Sequence, residues 1–193
     1  MILALAGGVG GAKLANGLAQ ILPPDALTVA VNTGDDFEHL GLHVSPDLDT
    51  VMYTLAGLNN LETGWGRAGE TWAFMTALGA LGGATWFNLG DQDLATHVER
   101  TRRLTAGESL SAITADFCRR LGIKPAVVPM ADAPVRTMVQ SDDGWLPFQD
   151  YFVRLKCAPR VKAFRFDGAT MATASAGLAA ALDRKSTRLN SSH

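Results

Sequence analysis

Apolar positions along the chain follow two alternating patterns. Residues 2–6 (Ile-Leu-Ala-Leu-Ala) and 27–31 (Leu-Thr-Val-Ala-Val) are short, nearly unbroken apolar runs and read as buried strands. Between them Leu14, Leu18, Ile21 and Leu22 recur at helical spacing, which predicts a helix over 12–22 that Pro23 and Pro24 end. A glycine turn joins the first strand to this helix. A polar loop then runs from Asn32 to His43, and Ser45 as N-cap with Pro46 at the first helical position opens a helix to Gly57. Further helices are expected over 70–81, from about Asp91 through Arg103, and over 109–121. Residues 85–89 and 126–129 read as the third and fourth strands. Strand–helix alternation over the first 130 residues predicts an α/β fold with a doubly wound, mostly parallel, Rossmann-like sheet. Residues 135–140 and 145–153 flank Ser141-Asp-Asp-Gly144 and predict a β-hairpin insertion, with 162–166 as a further strand.

Composition agrees with one folded domain. The chain has 193 residues, 47% apolar and 19% charged, with net charge −2. No apolar stretch approaches the roughly 18 residues of a membrane span. The apolar start lacks a basic leader and runs at once into glycines, so an export signal is rejected and the cytoplasm is the expected setting. Cys118 and Cys157 form no CxxC pair, which argues against a disulfide scaffold or zinc knuckle. The helical pattern over 174–182 gives way abruptly to a polar run, so residues 1–182 are read as the domain and 183–193 as an unstructured tail. That tail resembles translated sequencing-adapter read-through, and the domain is expected to be incomplete at its C-terminus. Without residues 184–193 the balance is 14 basic to 19 acidic residues, and no basic stripe suggests a nucleic-acid partner.

Three polar segments are expected beyond the C-terminal ends of strands, where doubly wound sheets bind ligands. Gly7-Gly-Val-Gly-Gly-Ala-Lys13 can bring backbone N–H groups and a lysine to a phosphate, although Ala12 and Leu14 break the Walker A pattern and Lys13 breaks the dinucleotide fingerprint. Asp35, Asp36, Asp47 and Asp49 near one helix start can hold a hard divalent cation. Asp47 and Asp49, two residues apart, point in different directions, leaving one free to favour a helix N-terminus. Asp93, His97 and Arg100 fall on one helical face, a spacing that by itself favours a surface ion pair beside a satisfied histidine. Trp65, Trp72 and Phe74 read as core rather than as a ligand cage. No nucleophile motif occurs.

Taken in order, these segments resemble the 2-phospho-L-lactate transferase (CofD-like) family of coenzyme F-420 biosynthesis. The resembling residues are Gly7-Gly-Val-Gly-Gly-Ala-Lys-Leu14, Val31-Asn-Thr-Gly-Asp-Asp36, Pro46-Asp-Leu-Asp-Thr50, Trp65-Gly66, Leu89-Gly-Asp-Gln-Asp-Leu-Ala-Thr-His97, Pro129-Met130 with Asp132 and Pro134, and Phe148-Gln-Asp-Tyr-Phe-Val153. The resemblance implies a Mg²⁺-dependent transferase. It would move a 2-phospholactyl or phosphoenolpyruvyl unit from a guanosine diphosphate-linked donor to the deazaflavin Fo, releasing GMP. It also implies substrate contacts at Gly10, Gly11, Lys13, Thr33, Asp36, Asp49, Asn88, Asp91, Asp93 and His97. Asn88 stands where some relatives carry a basic residue. Mg²⁺ is expected at Asp47 or Asp49, Asp49 is expected to take the acceptor proton, and a homodimer is the implied assembly. The family continues into a Gly-Pro-Ser-Asn type loop that this chain lacks, so a fragment unable to catalyse transfer is expected. The alternative is a UDP-sugar-binding regulator of the related gluconeogenesis-factor family, which shares the fold and a glycine-rich start.

Overall fold

In the computed structural model, which describes residues 1–62, 64–142 and 144–189, the two apolar runs form β1 (Ile2–Ala6) and β2 (Leu27–Val31). They pair in parallel from Ile2 with Leu27 to Ala6 with Val31, and β2 pairs in parallel with the next strand of this sheet, over Ala126–Pro129. Alternation decides which way the sheet faces. Ala4, Ala6, Val29, Val31 and Val127 point into the main core, where they meet Ala12 and Ala15 of α1 (Gly8–Ile21) and Leu48, Val51 and Met52 of α2 (Pro46–Leu55). Each fully buried Val or Leu here contributes about 1.5–3 kcal/mol relative to exposure. The opposite face carries Ala30 and Val128, with the final helix lying across them: a side chain at Gly177 would strike Val128, and Ser175 donates to Pro129 O at 2.6 Å. Leu5 on that same face stays 64% exposed.

The polar loop predicted after β2 folds as a hairpin instead, β3 (Phe37–His39) against β4 (Leu42–Val44). Leu40 (φ 53°) and Gly41 (φ 73°) supply the two positive φ angles of its tight turn, and leucine gives no local signal for that conformation. The helix expected over 70–81 contracts to α3 (Ala73–Ala80). Residues 85–89 are not a strand. Trp86 and Phe87 pack edge-on against each other and His39, and the segment leads as a bent connector into α4 (Asp91–Thr105). Packing against this aromatic cluster replaces sheet pairing. Next come α5 (Leu110–Arg120) and β5 (Ala126–Pro129).

The expected hairpin is β6 (Arg136–Ser141) with β7 (Gly144–Pro147), extended by β8 (Ala163–Asp167) on the other side of β6 into a separate antiparallel sheet. Asp143 of its turn lies outside the described residues. The second strand stops at Pro147, and residues 150–154 form a π-helical turn where the sequence predicted strand. The last helix, α6 (Ala176–Leu189), runs past Asp183, so the segment read as an unstructured tail begins as helix; residues 190–193 lie outside the described residues. Both cysteines are free, Cys118 buried and Cys157 exposed. Among the described residues no helix is long and apolar enough to cross a membrane.

Gly11 and Gly17 give opposite predictions. A Cβ at Gly11 would lie 2.8 Å from Ala6 Cα, so Gly11→Ala forces α1 off β1 and is expected to lower stability by about 1–3 kcal/mol. Gly17 faces open space, and Gly17→Ala should raise stability by up to about 1 kcal/mol; urea denaturation midpoints measure both. Arg120 and Arg119 of α5, with Arg103 of α4, hold the Asp116 carboxyl down to about 2. Because the folded value lies below the usual carboxylate range, this stabilisation is complete above about pH 4 and disappears as pH falls towards 2. Thermal melts should show a steeper acid decline for the wild type than for Asp116→Asn.

Candidate active site

Five elements meet at one cavity of about 950 Å³. The turn after β1 contributes Gly7, Gly8 and Val9, and the segment after β2 contributes Asn32 and Asp35. The first turns of α2 and α4 supply Asp47, Asp49, Asp93 and His97, and Met130 follows β5. The three polar segments therefore do converge on one cavity, although the third follows the bent connector over 85–89 and not the strand the sequence predicts.

Helical φ/ψ starts at Gly8, so Gly10 and Gly11 belong to the body of α1 rather than to a loop, and neither lines the cavity. Lys13, two residues further along α1, is exposed and also outside it. What meets the α1 N-terminus is Asp47. Gly8 N–H donates to Asp47 Oδ1 at 2.8 Å, and Asn32 Nδ2 donates to Asp47 Oδ2 at 2.9 Å. Asp47 thus caps the preceding helix, where the macrodipole favours an anion. Ser45 makes no side-chain cap to α2; its hydroxyl donates to Asp36 Oδ2 at 2.8 Å. Asp36 is buried behind the cavity wall with Ser45 and His43, and burial raises its carboxyl despite those partners. Thr33 is also buried away from the cavity.

Asn32 Nδ2 serves Asp35 Oδ2 as well, at 3.1 Å, so two carboxylates turn towards one amide. Burial, together with repulsion from Asp47 and Asp36, raises the Asp35 carboxyl. Among the described residues no lysine or arginine pairs with Asp35 or Asp47. Two hard oxygen donors with an unmatched charge fit a divalent cation.

A second acidic group behaves differently. Asp49 is 4% exposed and accepts from both terminal nitrogens of Arg100, itself 1% exposed; the contact from Nη1 to Oδ2 is 3.0 Å. His97 Nδ1 lies 3.6 Å from Asp49 Oδ2, and its Nε2 lies 3.3 Å from Asp93 Oδ2 without hydrogen-bond alignment. The Tyr53 hydroxyl donates to Asp93 Oδ1 at 2.6 Å. Burial opposes the Asp93 charge, yet His97 and Tyr53 hold its carboxyl below the usual range. Asp49, Asp93 and His97 present ligand atoms within 4.8 Å of one another. The Arg100 guanidinium already occupies the cationic position on Asp49, which makes this group a poorer fit for a metal than Asp35 with Asp47. The helical face carrying Asp93, His97 and Arg100 is as the spacing predicted, but it is buried rather than a surface ion pair.

Asp91 has a structural job. Its carboxylate accepts from Ala73 and Phe74 N–H, both at 3.0 Å, and so caps α3. The Thr71 hydroxyl and these N–H groups draw its carboxyl below the usual range. In return, Glu70 accepts from Gln92 and Asp93 N–H at 2.8 Å each and caps α4. Gly90 is needed between them, since a Cβ there would overlap Glu70. Asp91 is absent from the cavity wall, in contrast to its expected substrate contact.

Asn88 does line the cavity. So do aromatic residues that the sequence analysis did not assign to the site: Trp86, Phe87, Phe148 and Phe152. Trp65 also lines it and is 50% exposed, not core as expected, and Trp72 is 44% exposed. Only the i, i+4 spacing of Phe148 and Phe152 could have hinted at that pair.

Comparisons with known proteins bear on both the family and the fold. A family-wide sequence pattern described as 2-phospho-L-lactate transferase CofD matches residues 2–186. A phosphoenolpyruvate transferase of Streptomyces coelicolor is 46% identical over 186 residues, covering 94% of this chain and 58% of that protein. A 2-phospho-L-lactate transferase of Methanospirillum hungatei is 40% identical over 156 residues, covering 81% of this chain and 52% of that protein. The crystal structure of a UPF0052 family member from Bacillus halodurans shares the fold at 13% identity and a TM-score of 0.55, over 90% of this chain and 53% of its own. The chain spans little more than half the length of these relatives.

Removing the buried cation should be severe. Arg100→Met strips buried Asp49 of its guanidinium partner, with an expected loss of about 3–5 kcal/mol in urea unfolding, and adding Asp49→Leu should recover much of it.

Proposed function

Because the chain belongs to the 2-phospho-L-lactate transferase (CofD) family, we propose that it forms the acceptor- and diphosphate-binding part of a transferase acting on the deazaflavin Fo. The donor is a guanosine diphosphate-linked phospholactate or phosphoenolpyruvate. The observation that carries this reading is a single cavity with an acidic end at the α1 N-terminus and an aromatic mouth. In the transfer, the acceptor hydroxyl oxygen bonds to the phosphorus bearing the acid. The bond from that phosphorus to the GMP phosphate oxygen breaks, its electron pair goes to GMP, and the hydroxyl proton passes to water.

Phosphate chemistry of this kind depends on positioning and charge neutralisation. Gly7, Gly8 and Val9 turn the first turn of α1 towards the diphosphate, in place of the expected Gly10, Gly11 and Lys13. Asp47 already caps that turn, so an incoming diphosphate meets a carboxylate. Mg²⁺ held by Asp35 and Asp47 would neutralise both charges there. Asp49 is suited to orient the acceptor hydroxyl and not to take its proton, because both its oxygens are already engaged by the Arg100 guanidinium. The alternative, a UDP-sugar regulator, finds support in the fold alone.

Fluorescence titration of this chain should show saturable binding of Fo and none of UDP-N-acetylglucosamine; the reverse result would overturn the proposal. Binding of inorganic pyrophosphate should require Mg²⁺, and Asp47→Asn should raise the Mg²⁺ needed by about tenfold.

A further inference from the structure

Among the described aromatic contacts, one pair differs from the rest. Phe37, His39, Trp86 and Phe87 meet in tilted or edge-on arrangements. Phe148 and Phe152 are instead nearly parallel, 9° apart with centroids separated by 5.5 Å. Both line the cavity, and Phe152, the outer ring, remains 54% exposed. A large apolar ring held flat against a second ring, yet left half in water beside a cavity, has a free face suited to a third planar ring.

The turn that presents the pair is fixed from several sides. The Leu155 N–H donates to Asp150 O at 2.9 Å, closing the wide π-helical turn, a form often found at functional sites. Arg154 pairs with Asp150 at 2.5 Å and braces the outside of the turn. Gln149, next to Phe148, is buried, and its Nε2 donates to Asp35 O at 3.3 Å. This last bond ties the aromatic pair to the segment bearing Asp35, whose carboxylate shares the Asn32 amide with Asp47. The platform and the diphosphate end therefore hold a fixed separation, as a site must when it aligns a ring-bearing acceptor with a reacting phosphorus.

We propose that Phe152, backed by Phe148, is the stacking platform for the planar tricyclic ring of the acceptor and a determinant of acceptor specificity. The inference rests on the transferase reading above. Phe152 has no polar atom on its side chain, so it selects for an extended π-surface and not for charge or a hydrogen-bond pattern. Small-ring and non-planar alcohols are rejected because they cannot cover it.

The test uses the whole chain with Fo as the fluorescent probe. Phe152→Leu keeps an apolar side chain but removes the π-face, and it should weaken Fo binding by about tenfold or more. Phe152→Trp should retain binding and the change in Fo fluorescence that stacking produces. Mg²⁺-dependent pyrophosphate binding should be unchanged in both, which separates lost stacking from lost folding. Equal Fo affinity in Phe152→Leu and wild type would overturn the platform while leaving the transferase reading intact. Loss of GMP binding with Fo binding retained would give the ring to the donor base and overturn the acceptor assignment. Failure of the wild type itself to bind Fo would overturn the transferase reading, and the platform with it.

Discussion

The pairing of Arg100 with Asp49 organises the site. A guanidinium stays charged even at 1% exposure, so burying it is tolerable only with an anion to match it, and Asp49 from α2 does so with both oxygens. That contact locks α4 onto α2 in one register. The same register brings Tyr53 of α2 to Asp93 of α4 and sets His97 between the two carboxylates. An apolar seam between these helices would tolerate sliding. A buried ion pair with fixed geometry does not, and it holds the cavity floor in place at the expense of desolvating two charges.

A second constraint acts at the turn after β1. In many phosphate-binding α/β folds the first helix N-terminus is left open to the ligand. Here Asp47, reaching from α2, accepts the first N–H of α1. The wall at this end of the cavity is thus acidic, with Asp35 beside Asp47 and one Asn32 amide between them. The two carboxylates repel each other, and a cation between them would relieve that repulsion. The glycines contribute mainly through sterics: Gly11 lets α1 approach β1, while Gly7 and Gly8 leave room for the Asp47 carboxylate.

The neighbouring segment shows how a motif can serve structure rather than chemistry. Leu89-Gly-Asp-Gln-Asp93 reads as a ligand loop because it pairs glycine with carboxylates. In the fold, Asp91 and Glu70 cap each other's helices and Gly90 makes room for Glu70, leaving Asp93 alone of these carboxylates to face the cavity. Two helix starts locked in this way give Trp86, Phe87 and Asn88 a defined position on the wall without strand pairing.

The sequence by itself determined the parallel core. The runs over 2–6, 27–31 and 126–129 are apolar and β-branched within a few residues, and Ser45-Pro46 marks a helix start locally, so these elements needed no distant partner to be legible. The family-specific order of short motifs was legible too. Only the tertiary structure decided what the polar residues do. Gly8 finds Asp47 across 39 positions, Asp49 finds Arg100 across 51 and Gln149 finds Asp35 across 114. The segment over 85–89 also has strand-like composition but packs on aromatic rings contributed by β3. Backbone propensity is set by near neighbours, whereas the charge state, burial and role of a side chain depend on which remote group the fold places against it.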